Sequence, residues 1–339
     1  MLKSKFVKKL EGMKVQCLLC NHFCIIENKK LGLCGVRQNE NGELLSLVFN
    51  CPTNVNIEAI EKKPLFHFQP DSNTLSLGTL GCNFKCLNCH NHGVSQIKDT
   101  PAKIKKSCDF HSPDRLIEEA CLNDCKSISY TYNEPTVFAE YAIEIMKLAH
   151  KNDLKNVWVS NGYMSKELLK DILPYLDAIN IDIKSFDENF YKENCDANLK
   201  PILENLIEIK NNQIHLEVTT LVIPGKNDNI ENIEKIATFI ADELDTETPW
   251  HILKFIPDIS WKLKSLTETD DNIIYSAYDI GKDSGLKYIY VGNMPGDQKE
   301  NTYCPTCGEL AIRRMGSHIE RLDYKGRCTS CDKTLDIVK

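Results

Sequence analysis

The chain has 339 residues, 42% hydrophobic and 26% charged, a balance that excludes a disordered or low-complexity protein. A formal net charge of −7 gives no global attraction to phosphate backbones and argues against nucleic acid as the main partner. No apolar run reaches the length of about 18 residues that a membrane span needs, and MLKSKFVKKLEGMKV lacks the pattern of a secretory signal, so a cytoplasmic, membrane-free protein is expected.

Sixteen cysteines are many for such a compartment, where thiols stay reduced and clustered cysteines bind metal. From the N-terminus, Cys17, Cys20, Cys24 and Cys34 place four thiols in one short stretch. Zinc is the preferred metal there and a second iron-sulfur cluster the alternative, with His22 able to replace one cysteine. Residues 35–73 lead onward, with LLSLVF and LFHF read as short apolar strands and Lys62 and Lys63 as surface charges. Residues 1–60 are taken as this N-terminal four-cysteine module with its lead-in strands.

Between residues 74 and 291 short β-branched runs alternate with helical patterns. Strands are predicted over 74–80, 127–132, 156–160, 178–184, 214–222, 250–256 and 287–291. Ser112 and Ser165 read as N-caps of intervening helices, and Ile230, Ile233, Ile236 and Ile240 as one apolar helix face. Repeated βα units imply an α/β fold, a partial or complete parallel barrel of the (β/α)6 type over 61–300, with an open doubly wound sheet as the rival. Barrel enzymes build their sites on loops after strand C-terminal ends. Here those loops carry Cys82, Cys86 and Cys89, then Glu134, then Ser160 and Asn161, then Asp182 and Lys184, then IPGKND, then Asp258.

The three cysteines are spaced C-x3-C-x2-C, one ligand short of a closed site. Either His90 or His92 completes a zinc site, or three thiolates hold an iron-sulfur cube whose fourth iron stays open to a small molecule. At the C-terminus, Cys304, Cys307, Cys328 and Cys331 form the paired knuckles of a zinc ribbon over 301–339. Between them lie Arg313, Arg314, Arg321, Lys325 and Arg327, read as a solvated basic face that an acidic partner would fit. Cys51, Cys108, Cys121, Cys125 and Cys195 are scattered and read as buried packing thiols, Cys121 and Cys125 lying four apart on a predicted helix.

Taken together, SLGTLGCNFKCLNCHN, IEKKPLFHF, SYTYNEPTVF, VSNGY, NIDIKSF, LVIPGKND, YVGNMPG and TYCPTCGEL resemble the AmmeMemoRadiSam system radical SAM enzymes, relatives of the glycyl-radical enzyme activases such as that of pyruvate formate-lyase. The resemblance implies a 4Fe-4S cluster on Cys82, Cys86 and Cys89 that binds S-adenosylmethionine and cleaves it reductively to a 5'-deoxyadenosyl radical. That radical would take a hydrogen atom from an unidentified substrate, as the activases do from a protein. By the same resemblance Glu134 faces the methionine ammonium, Ser160 and Asn161 lie near the ribose or methionine end, and Asp182 and Lys184 match an Asp-x-Lys whose lysine meets the methionine carboxylate. Val222 and Ile223 would neighbour the adenine. Asn88 departs from the family's usual aromatic before the third cysteine, and His90 stands where close relatives have glutamine. Implied partners are a flavodoxin or ferredoxin as electron donor, homologues of Memo and AMMECR, and a protein or peptide substrate. The contrasting expectation from composition is a non-catalytic scaffold in which all three cysteine sets bind zinc.

Overall fold

The structure, a computed structural model, describes residues 2–97, 101–106, 108–316 and 318–338. Its centre is one sheet of eight strands: β1 (Asn54–Ala59), β2 (Asn73–Gly78), β3 (Ser127–Tyr130), β4 (Lys155–Ser160), β5 (Ala178–Asp182), β6 (His215–Val222), β7 (Trp250–Lys254) and β8 (Ile289–Gly292). β1 pairs antiparallel with β2, and every later neighbour pairs parallel. Spatial order equals chain order, as one-directional βα crossovers produce. A doubly wound sheet reverses its order midway, so that rival is excluded. β1 and β8 remain unpaired edges, and the barrel is therefore partial.

Ser127–Tyr130 is buried along its whole length although two of its four residues are serines, as befits a strand inside a parallel sheet. The main helices are α1 (Pro113–Leu122), α2 (Ala139–Lys151), α3 (Lys166–Ile172), α4 (Lys200–Asn211), α5 (Ile230–Phe239) and α6 (Asp271–Asp283). Ser112 and Ser165 cap α1 and α3 by accepting from Arg115 N and Leu168 N, which supplies partners to first-turn donors. The isoleucine face of α5 is shorter than expected: Ile233, Ile236 and Ile240 are buried, but Ile230 is 62% exposed. No helix among the described residues is long and apolar enough to cross a membrane.

Before the barrel, two small antiparallel sheets form, one from Leu2–Lys3, Arg37–Glu40 and Glu43–Ser46, the other from Val7–Lys9, Val15–Cys17 and Ile25–Ile26. Phe6, Val15 and Val36 join the barrel's own core. Arg37 fastens this module to the start of α2 and the turn before it, donating to Val137 O at 3.1 and 2.7 Å and to both carboxylate oxygens of Glu140.

LFHF is not a strand; only Phe68 makes an isolated bridge, to Val338. Its backbone is instead claimed by a buried acid: Glu217 of β6 accepts from Phe66 N and His67 N at 2.9 and 2.8 Å, and from the rings of His215 and His251. His67 meets Tyr290 of β8 at 2.6 Å, and Tyr290 meets Thr302 at 2.8 Å. The C-terminal sheet (Thr302–Tyr303, Leu310–Met315, His318–Arg321) thus joins the segment between β1 and β2 to β8. Arg314 completes the tie, donating to Phe66 O, Glu300 O and Thr302 Oγ1. The basic run is accordingly not a free face. Arg314 is buried, while Arg313, Arg321 and Arg327 pair with Glu320, Asp323 and Asp332.

The scattered cysteines also divide. Cys125 and Cys195 are buried as expected, but Cys121 is exposed and Cys51 is joined to Cys108 by a disulfide. α1 ends at Leu122, so Cys125 lies beyond it and the two thiols do not share the helix.

Candidate active site

The C-terminal strand ends open into a cavity of about 670 Å³. Cys82, Cys86, Cys89, Glu134, Ser160, Asn161, Asp182 and Lys184, contributed by the loops after β2, β3, β4 and β5, all line it. Eight residues spread over 103 positions of sequence are brought together because successive parallel strands deliver their ends to one rim.

The cysteine loop is held from several sides. Gly78 ends β2, where any Cβ would stand 2.6 Å from Thr131 O, so only glycine lets the loop start this close to β3. Asn133 accepts from Thr79 N at 3.1 Å and donates to Gly81 O at 2.6 Å. Lys85 N and Leu87 N donate to Cys195 O and Asn194 O, and Asn194 Nδ2 reaches Asn88 Oδ1 at 2.8 Å. The Cys195 thiol therefore lies beside Cys86, which a packing role alone did not foretell. Hydrogen bonding to Cys195, followed by burial, pushes the Cys86 thiol well above its ordinary range, and burial does the same to Cys82. Metal coordination is what removes such protons.

Among the described residues, only Cys304, Cys307, Cys328 and Cys331 gather possible ligand atoms within 4.8 Å of one another. Neither His90 nor His92 is drawn into a compact set with the three loop thiols; His90 is exposed and hydrogen-bonds Asn91. A single ion would need sulfurs about 3.8 Å apart, from metal–sulfur bonds of about 2.3 Å. The three thiols line one wall of the cavity and do not form so compact a set. The C-terminal quartet has the compact spacing instead, with Cys304–Cys331 at 3.5 Å and Cys307–Cys328 at 3.6 Å.

Glu134 is 1% exposed, and four donors orient its carboxylate: Thr136 N, Thr136 Oγ1 and Ser160 Oγ on Oε1, and Asn161 N at 2.8 Å on Oε2. Burial nevertheless raises its pKa, the hydrogen bonds offsetting only part, so a nearby cation would be welcome. Oε2 accepts from a single donor, Asn161 N, whereas Oε1 accepts from three. Lys184 Nζ donates to Asp182 at 2.6 Å; burial opposes its charge, but Asp182 together with the neighbouring Cys86 and Cys195 sulfurs outweighs burial and holds the ammonium well above the ordinary lysine range.

Other expectations shift. Val222 and Ile223 are core residues, and Leu221 lines the cavity instead, because alternate strand positions face opposite sides. Asp258 is exposed and outside the lining. Lys63, read as a surface charge, is 3% exposed, paired with Glu58 at 2.5 Å and 5.0 Å from the Tyr132 ring centre. Tyr132 itself holds φ at 68°, a conformation costly for a bulky side chain, and its hydroxyl donates to Glu58 at 2.7 Å. These residues, with His251, form a second wall that sequence reading missed, since nothing in EKK or SYTYN marks burial.

Residues 77–240 match the family model described as the radical SAM superfamily. The chain is 41% identical over 341 residues to an uncharacterized protein of Methanocaldococcus jannaschii, covering 100% of both. It is 25% identical over 229 residues to a putative glycyl-radical enzyme activating enzyme of the same organism, covering 64% of this chain and 79% of the relative. Among solved structures it resembles Streptococcus suis SuiB bound to the precursor peptide SuiA, with a TM-score of 0.50 and 10% identity over 69% of this chain and 51% of SuiB, a likeness of fold.

Proposed function

The chain belongs to the radical SAM superfamily, and on that premise we propose that it binds S-adenosylmethionine against a 4Fe-4S cluster on Cys82, Cys86 and Cys89 and initiates hydrogen-atom abstraction from a protein or peptide. The observation that carries this reading is the convergence of the three open-sided thiols with Glu134, Ser160, Asn161, Asp182 and Lys184 on one cavity. When bound, the cluster supplies an electron that cleaves the sulfonium of its ligand; the protein's task is binding and orientation.

A methionine end offers an ammonium and a carboxylate. Glu134 suits the first, since its pre-oriented, buried carboxylate lacks a cation. Lys184 suits the second, and Asp182 keeps it charged. Ser160 and Asn161 hold Glu134 in place while exposing their own edges to the cavity. Cavity space beyond these residues runs to Lys63, Phe66, His251 and Asn293, and a substrate segment would occupy it. Similarity to the putative glycyl-radical enzyme activating enzyme supports a protein substrate. A reduced flavodoxin or ferredoxin would supply electrons, and homologues of Memo and AMMECR are the candidate partners to test. The C-terminal quartet fits structural zinc by its compact sulfur spacing.

The test is anaerobic reconstitution with iron, sulfide, reductant and cofactor, scored for 5'-deoxyadenosine. Deuterated candidate partners should pass label into that product and change in intact mass. A colourless protein carrying about three zinc ions per chain and forming no product would defeat the reading and restore the scaffold.

A further inference from the structure

Glu58, Lys63 and Tyr132 line the cavity as a hydrogen-bonded group that the cofactor site does not use. Asn56 and Glu58 lie two apart on β1 and so share one face of that edge strand. A short 3-10 turn, Ile60–Lys62, follows and parts two neighbouring lysines: the Lys62 side chain is 64% exposed, whereas Lys63 is buried against Glu58. One oxygen of Glu58, Oε2, serves two donors, accepting from Lys63 Nζ at 2.5 Å and from the Tyr132 hydroxyl at 2.7 Å. Asn56 Nδ2 donates to that hydroxyl at 2.9 Å, which leaves the phenol's own proton directed at Glu58. Amine, carboxylate and phenol thus form one chain with a single carboxylate oxygen at its centre.

Two features set this chain apart from an ion pair that merely packs. A buried pair contributes little net stability over apolar side chains of the same volume, and this one is not sealed in a core, since all three residues face a cavity of about 670 Å³. Tyr132 makes its bond to Glu58 from a backbone held at φ 68°, and strain of that kind in a bulky residue gathers at functional sites. Burial pushes the Lys63 pKa down; the bond to Glu58 offsets only part of that, and the charge of Lys62 adds to the fall. A lysine amine that loses its proton readily is a nucleophile toward carbonyl carbon.

We propose that Lys63 captures a small, uncharged aldehyde or ketone as an imine, with Glu58 and Tyr132 moving the protons. The Nζ–C bond forms as the carbonyl π bond breaks, and the carbonyl oxygen takes a proton from the Tyr132 hydroxyl. The two protons that the ammonium loses pass through Glu58, one restoring Tyr132 and one joining the hydroxyl as it leaves, so that the oxygen departs as water and no oxidant or reductant is consumed. The iminium that results keeps the positive charge with which Glu58 is paired. Glu58, Glu61, Lys62 and Lys63 balance one another in charge on this wall before and after the step, which favours a substrate that brings no charge of its own. The capture stands without the radical reading; where that reading holds, the captured compound shares the cavity with the open cysteine loop.

Reductive trapping on the metal-loaded full chain, held anaerobically at neutral pH, tests the capture. Limiting propanal is added with cyanoborohydride, which reduces an imine to a stable secondary amine, and peptide mass mapping locates the label. Lys63 should be labelled ahead of Lys62 and the other exposed lysines, which stay protonated, and Lys63→Arg should lose that label alone. Labelling of Lys62 ahead of Lys63, or a Lys63 left unmodified, overturns the inference, and the wild type by itself decides this. Pyruvate, which carries a carboxylate, should label Lys63 more slowly than propanal; the reverse order would overturn the uncharged substrate class. Tyr132→Phe leaves the Lys63–Glu58 pair in place and should slow labelling at Lys63 while that at Lys62 is unchanged. Equal labelling of Lys63 in this variant and the wild type would strike Tyr132 from the step.

Discussion

Arg37 and Glu140 offer the sharpest test of how the N-terminal module is fastened to the barrel. The pair is 1% and 6% exposed, with Nη1 donating to Oε1 at 2.8 Å and Nη2 to Oε2 at 2.5 Å. Removing one partner strands a buried charge and costs about 3–5 kcal/mol, whereas replacing both by apolar groups is often nearly neutral. With an unfolding entropy of about 2.1 cal/mol/K per residue, 339 residues carry about 0.7 kcal/mol/K. Glu140→Gln should therefore lower the melting temperature by about 4–7 °C. Arg37→Met should be worse, because it also deprives Val137 O of two donors. The double variant R37M/E140L should recover the part of the loss that comes from the stranded charge, while Val137 O and Ser4 Oγ stay without the partners the pair gave them. Burial pushes the Glu140 carboxyl up, but Arg37 outweighs it and holds the pKa below the ordinary value. The pair's contribution is thus fully present above the unfolded glutamate pKa of about 4.3 and lost as pH falls through the depressed folded value. Calorimetry of the metal-loaded protein across that range supplies the whole cycle. Single variants melting within about 1 °C of wild type, or strictly additive losses, would refute the reasoning.

Glu134→Gln should weaken S-adenosylmethionine binding by about 1.5–3 kcal/mol, roughly ten- to hundredfold, with cluster absorbance retained; calorimetric titration reads this directly. Cys86→Ala should abolish the reducible cluster and 5'-deoxyadenosine formation while far-ultraviolet circular dichroism stays that of the folded barrel. Cys328→Ser should remove one metal equivalent and expose residues 301–338 to protease, because metal binding there is folding free energy; resistance of that segment after metal loss would count against a structural ion.

What the sequence made legible followed from periodicity and spacing. Seven β-branched runs became the seven parallel strands, and the C-x3-C-x2-C loop fell at the strand end that the barrel rule assigns to chemistry. What it hid depends on tertiary placement. Lys63 follows Lys62 in a charged tripeptide, yet the first is buried against Glu58 and the second is exposed. Leu221 and Val222 are equally apolar, and only the sheet decides which one faces the cavity. Arg314 sits in a basic run whose other arginines find acids near in sequence, but it finds none, and one of its acceptors, Phe66 O, lies 248 residues away. The Cys51–Cys108 pairing spans 57 residues and carries no local signal.

The tie between Phe66, His67, Tyr290, Thr302 and Arg314 also sets an order of events in the growing polypeptide. β1 to β7 and the thiol-bearing loop leave the ribosome before the segment that fastens the two free margins together. Until Thr302, Arg314 and Val338 emerge, residues 64–68 are held only from within the sheet, by Glu217, by Asn180 donating to Pro64 O and by Leu65 and Phe68 packing on Val157 and Ala178, and the margin at β8 stays free to open.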